Sequence, residues 1–232
     1  MSIAAGAVAR IEAAAGPQGL ILRGAFHCDA DDEVPPLADG RESRTLVLLG
    51  NHGGGLWAQF QAAAEARDGR PDPLNRWSER VIGALAREAG GQALFPFGGP
   101  PYLPFLRWAQ RAEAVAPSPL GMLIHPDYGL WHAYRGAVAL PEALELPARD
   151  ERPRPCESCA ERPCLTACPV GAFTAAGYEV TACAEHVAAP AGIDCLSRGC
   201  QARRACPVGR SYRYTDAQMR FHMEAFISAR RP

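Results

Sequence analysis

The sequence predicts a layered α/β or α+β domain over residues 1–147, followed by a small cysteine-rich module. Three observations predict it. Apolar runs of strand character alternate with segments of helical periodicity through the first 147 positions, the pattern of strands covered by helices. Cysteine usage is uneven: of nine cysteines, one stands alone at Cys28 and eight lie between Cys156 and Cys206. Between the two regions runs "PARDERPRP" (147–155), charged and proline-rich, which reads as a linker.

The elements follow in order. Residues 3–15 are alanine-rich and suit a helix. "GLILRGAF" (19–26) is a short apolar run before the acidic loop "DADDEVPP", and reads as a strand. "RTLVLLGNHGGG" (44–55) predicts a buried strand running into a glycine-rich turn, with "LWAQFQAAAEA" helical after it. Asp72 is the expected cap of a further helix, with Pro73 at its first position and Leu74, Trp77, Val81, Ile82, Leu85 and Ala86 on one face. "QALFPFGGPPYLPF" is a strand entering a proline-rich loop, and a helix around "LRWAQRAEA" follows. Residues 121–141 predict two strands around a turn at Pro126–Gly129. Thr215 is the expected cap of a last helix with Met219, Phe221, Met223 and Phe226 facing inward.

Composition narrows the function. Hydrophobic content of 48% and charged content of 21% are those of globular proteins. A formal net charge of −1 advertises neither nucleic acid nor an anionic membrane surface. The apolar start is interrupted by Arg10 and Glu12 and lacks the plan of a signal peptide. No segment reaches the roughly 20 apolar residues that span a bilayer. The expected location is the cytoplasm, where a dense cysteine set holds metal more often than disulfides.

The cysteines carry the sharpest signal. Cys156-x2-Cys159-x4-Cys164-x3-Cys168-Pro169 is close to the ferredoxin run C-x2-C-x2-C-x3-C-P, which places three thiolates around one 4Fe–4S cluster and gives the fourth to a neighbouring cluster. "CPVG" begins at both Cys168 and Cys206, so the two halves end alike. By the crossover rule, Cys156, Cys159, Cys164 and Cys206 hold one cluster, and Cys168, Cys183, Cys195 and Cys200 the other. The x4 spacing in the first run and the x4 and x5 spacings of Cys195, Cys200 and Cys206 depart from the ferredoxin pattern. Structural zinc sites of four thiolates are the alternative; the C-x3-C-P ending and the single C-x2-C knuckle argue against them.

Residues 1–147 contain no G-x-G-x-x-G fingerprint and no P-loop, and "GNHGGG" has the spacing of neither. A resemblance supplies what these motifs do not. "LIHPDYGLWHAYRGAVALPEALELP" (123–147) resembles the "HP-aromatic-G-x-W…RG…LP" segment of the cobalamin-processing family of the methylmalonic aciduria type C protein. "RTLVLLGNHGGGLWAQF", "DPLNRWSERVIGALA" and "YRYTDAQMRFHMEAF" are similar to other segments of that family. The same domain fused to a two-cluster ferredoxin occurs in epoxyqueuosine reductase and reductive dehalogenases.

The resemblance implies a nitroreductase-like, corrinoid-binding domain over 1–147, a bacterial-type two-cluster ferredoxin domain over 148–210, and a C-terminal helix over 211–232 packing back on the first domain. It implies cobalamin or another corrinoid as ligand, an external electron donor, and reductive chemistry at cobalt. Carried over by position, His125, Pro126, Tyr128, Gly129, Trp131, Arg135 and Gly136 would line the corrinoid site. No residue is assigned a catalytic role. Tyr102 and Tyr128 read first as packing aromatics, His52 as a turn residue, Cys28 as a small buried thiol, and Arg203 and Arg204 as solvated surface. Two other functions fit the same sequence: a ferredoxin-type carrier whose first domain docks a partner enzyme and binds no corrinoid, and a zinc-stabilised interaction protein.

Overall fold

The structure is a computed structural model that describes residues 3–230, with side chains from residue 6. It divides into two compact units. The first comprises residues 1–114 and 133–151, the second 115–132 and 152–232.

The first unit begins with α1 (Ile3–Ala15), β1 (Ile21–His27), β2 (Thr45–His52) and α2 (Trp57–Ala62). It continues with α3 (Pro73–Glu88), β3 (Gln92–Leu94) and α4 (Phe105–Ala112). After the chain has visited the second unit through β4 (Ala116–Pro117) and β5 (Leu123–Ile124), β6 (His132–Leu140) returns. The sheet order is β1-β2-β6-β3, with antiparallel pairing of β1 to β2 and of β3 to β6. Leu46, Val47, Leu48 and Leu49 of β2 are all 0% exposed. Successive strand residues point to opposite faces, so four buried in a row require both faces of the sheet to be covered. Trp77 and Ile82 of α3 and Trp108 of α4 are buried in the same unit.

Two local expectations change and two are refined. Asp72 does not cap α3 through its side chain; its backbone is left-handed (φ 51°, ψ 46°). A cap needs extended backbone to aim its oxygen at the first-turn amides. Arg76 N–H instead donates to the Asp72 carbonyl at 3.0 Å. The helix predicted over residues 56–66 stops at Ala62, because Ala63 turns extended, and Glu65 accepts from Arg80 of α3 at 2.5 and 3.1 Å. The two strands expected around Pro126–Gly129 belong to different sheets: β5 pairs with β4, while β6 lies between β2 and β3. Thr215 does cap the last helix, accepting from Gln218 N–H at 3.3 Å, but of its four inward candidates only Met219 is fully buried.

The second unit contains β4, β5, α5 (Pro163–Thr166), a hairpin of β7 (Phe173–Thr174) and β8 (Gly177–Tyr178), and four further helices. These are α6 (Val180–Ala188), α7 (Ile193–Arg198), α8 (Gln201–Ala205) and α9 (Asp216–Ser228). Leu120, Ile124 and Leu130 pack with Ala202 and Cys206, and Cys156, Cys164, Cys168 and Cys200 close around them. The residues therefore group differently from the sequence-based boundaries: 115–132 supplies apolar walls for the cysteine segment. The last helix, α9, packs on α6 and α7 within this unit. Among the described residues no helix is long and apolar enough to cross a membrane.

Candidate functional site

The eight clustered cysteines fall around two small recesses in the second unit. Cys156 and Cys159 lie on the turn before α5, Cys164 sits in α5, and Cys206 follows α8, which packs on α5. These four line one recess, with Ile124 and Val208 beside them. Cys168 follows α5, Cys183 is in α6, Cys195 in α7, and Cys200 joins α7 to α8. These four line the second, with Val187 and His186. The two groups of four are the ones that the ferredoxin spacing suggests. Ala172 N–H donates to the Cys168 sulfur at 3.3 Å.

These surroundings disfavour free thiolates. Burial pushes the Cys156, Cys164, Cys195, Cys200 and Cys206 thiols up, and neighbouring cysteines add to the effect at each of these sites. Negative sulfur is favoured here by a nearby cation or by N–H donors. Among the described residues no group of three or more His, Cys, Asp or Glu is arranged to hold a single metal ion. Four thiolates on one tetrahedral zinc would stand only about 3.8 Å apart. The lone Cys28, in the first unit, is pushed up to about 11, mainly by burial.

A larger cavity of about 300 Å³ opens beside the second recess, still within the second unit. Met219, His222, Met223 and Phe226 of α9 form one wall at helical spacing. Phe221 falls off that face, because two residues along a helix point away from each other. Cys183 and Cys200 reach the cavity as well as the recess. Arg203 also lines it and is not solvated surface. Its Nε and Nη2 donate to the Leu130 carbonyl at 3.1 and 2.6 Å, and its guanidinium lies 4.3 Å from the centre of the Trp131 ring. Arg204 likewise bonds to Asp194 and to the Gly199 carbonyl.

The turn at 125–131 belongs to the second unit. His125 is buried; its Nδ1 accepts from the Asp127 and Tyr128 amides at 3.0 and 3.3 Å, and its ring stacks on Tyr128 at 4.1 Å. Gly129 has φ 57°, and a Cβ there would lie 2.1 Å from the Val208 carbonyl oxygen. That close approach alone requires glycine. Trp131 is fully buried, and its indole N–H has no hydrogen-bond partner among the described residues. Pro126 and Tyr128 are the half-exposed members of the turn.

Arg135 and Gly136 lie in the first unit. Arg135 donates to Ser78 Oγ (3.0 Å), Asn75 Oδ1 (2.9 Å) and the Leu74 carbonyl (3.2 Å), tying β6 to the start of α3. A Cβ on Gly136 would meet Ile82 at 2.9 Å and the Leu94 carbonyl at 3.0 Å. Tyr102 is exposed. His52 is half-buried at the end of β2, its pKa lowered by burial and then by Arg23.

Among solved structures, the chain is similar to the B12-trafficking protein CblC from C. elegans, a human MMACHC homologue. Identity is 14%, the TM-score is 0.54, and 96% of this chain and 95% of that one are covered. It is also similar to epoxyqueuosine reductase from Streptococcus thermophilus, at 12% identity and a TM-score of 0.51, covering 89% of this chain and 67% of that one. No protein-family model matches the chain, and no curated protein matches it. The fold is of the CblC type.

Within this CblC-type fold, sequence reasoning missed two features. In the first unit Arg23, 1% exposed, grips Glu113 through both carboxylate oxygens (2.6 and 3.3 Å) and lies 4.7 Å from the Tyr134 ring centre. The Tyr134 hydroxyl donates to the same carboxylate. Sequence separations of 90 and 21 residues hide this cluster. The other is His186, whose Nε2 is buried and unpartnered among the described residues. A buried donor or acceptor left unpaired costs about 1–3 kcal/mol. The available signal was the Cys183-x2-His186 spacing, which puts both side chains on one helix face.

Proposed function

We propose that the chain is an iron–sulfur redox protein that binds a corrinoid, reducing it or processing its upper ligand with electrons from two 4Fe–4S clusters. The observation that carries the reading is the sorting of eight cysteines into two fours, each around its own recess. The donor set fits such clusters. It is all sulfur, and each four is drawn from separate turns and helices around one recess, as the ligands of a 4Fe–4S centre are. Cys156, Cys159, Cys164 and Cys206 would hold one cluster, and Cys168, Cys183, Cys195 and Cys200 the other. Once bound, such clusters pass single electrons.

The chain's own residues supply the rest. The Ala172 amide donates to the Cys168 sulfur and so stabilises negative charge on it. Ile124, Leu130 and Ala202 exclude water from the surroundings of the thiols. Arg203 fixes the 125–131 turn by holding the Leu130 carbonyl.

The corrinoid part rests on the CblC-type fold and on the 125–136 segment. One structural neighbour is described as a B12-trafficking protein and the other as a reductase. In this reading Pro126 and Tyr128 reach the ring, while His125, Gly129 and Trp131 shape the turn from within. Arg135 and Gly136 hold β6 against α3. An external electron donor completes the cycle.

The test is anaerobic purification with iron and acid-labile sulfide analysis, then titration with hydroxocobalamin. About eight of each atom per chain are expected, with a shift of the corrin spectrum to the form lacking its lower base. Clusters without any corrin change would leave an electron carrier that docks a partner enzyme. Bound zinc without sulfide would overturn the redox reading.

A further inference from the structure

Resting on the iron–sulfur reading, we propose that His186 is a positioning residue for the second cluster. Its Nε2–H donates a hydrogen bond to a sulfur of the centre held by Cys168, Cys183, Cys195 and Cys200, and thereby raises that centre's reduction potential.

Three observations lead there. His186 lines the same recess as those four cysteines. Its Nε2 is buried with no partner among the described residues, and folded proteins rarely leave such an atom unsatisfied unless something else occupies the site. Its position is also pinned. The Ala189 amide bonds to its carbonyl at 3.1 Å, and buried Gly192 passes so close that a Cβ would lie 1.9 Å from that oxygen. Val187, 1% exposed, anchors the neighbouring position. The backbone at 186 is thus fixed, and the side chain lines the recess with an Nε2 that has no partner among the described residues.

Four thiolates and a sulfide-rich core carry net negative charge, and reduction adds one electron to it. An N–H aimed at sulfur stabilises the reduced form more than the oxidised form, so the potential rises. No covalent change is involved; the electron comes from an external low-potential donor. Among the described residues no histidine lines the first recess, so this tuning is assigned to the second centre. The first-recess thiols therefore serve as the internal reference.

The experiment compares wild type, His186→Leu and His186→Gln, all prepared anaerobically as the full chain. Glutamine retains an N–H at similar reach; leucine does not. Iron and labile sulfide are measured first, then the potential of each centre by titration with a chemical reductant under EPR detection. Cys195→Ser assigns the second centre's signal. All three proteins are expected to retain both centres. In His186→Leu the one-electron equilibrium of the second centre shifts about tenfold toward oxidised, roughly 59 mV. His186→Gln recovers most of that shift, and the first centre does not move. An unchanged second potential in His186→Leu overturns the proposal, as does equal loss of that centre in both variants, which would make His186 a ligand or a structural prop. Wild-type protein without labile sulfide overturns the underlying iron–sulfur reading itself.

Discussion

In the first unit, four consecutive residues of β2 are fully buried, and tryptophans from α3 and α4 complete an apolar core. In the second, the buried group of Leu120, Ile124, Leu130, Ala202 and Cys206 is closed by four more cysteines. Three of its helices are short: α5, α7 and α8 have four, six and five residues. Isolated helices of that length are marginal in water. The first unit is held by hydrocarbon and by ion pairs that include buried Arg23 with Glu113 and buried Asp32 with Arg111. The second brings thiols together that, once ionised, would repel unless a cation sat among them. If the proposed clusters are present, the first region depends on burial and the second on what its sulfurs bind.

Stripping the metal tests this contrast most severely. If the thiols hold clusters, binding energy is folding energy. Anaerobic removal of iron should then abolish amide protection in α6, α7 and α8 while β2 and α3 keep theirs, as read by hydrogen exchange. Equal protection before and after would show that the apolar group around Ile124 suffices.

The next test breaks the first unit alone. Glu113→Ala leaves Arg23 buried without its carboxylate. Removing one partner of a buried pair costs about 3–5 kcal/mol. Chemical denaturation should show that loss, with iron and sulfide content unchanged. Loss of clusters in this variant would mean that the two regions do not stabilise independently.

A smaller effect belongs to the surface of the first unit. Hydrogen bonds from Arg76 hold Asp68 down at about 2. In the unfolded chain this carboxylate titrates near 3.9. Between those values the unfolded state binds more proton, so stability rises with pH there; the contribution is present above that window and lost as pH falls through it. Asp68→Asn should flatten the acid limb of the stability profile slightly, with no effect at neutral pH beyond loss of the exposed pair. An unchanged acid limb would assign the pair no net role.

Much of the fold was legible in the sequence. The period of α3 named its buried face, and Leu74, Trp77, Val81, Ile82, Leu85 and Ala86 are all buried. The β2 run read as buried because apolar residues fill both alternating sets. The cap at Asp72 was misread because residue type does not reveal a left-handed backbone. The two strands around Pro126–Gly129 were legible, but the sheets that β5 and β6 join were not, because strand pairing depends on contacts far apart in sequence. At the candidate site, cysteine spacing separated the two fours, whereas Arg203 looked like surface because only folding brings Leu130 and Trp131 beneath it.

The sequence by itself determined which segments are apolar on one face or both, where sulfur is concentrated, and how it is spaced; these are local properties of side chains and short-range geometry. Tertiary structure decided that residues 115–132 join the cysteine segment, that Arg23 meets Glu113, and that His186 lines the second recess with an Nε2 unpartnered among the described residues. Those outcomes depend on burial shared between distant segments, and burial is a property of the folded chain that no local stretch carries.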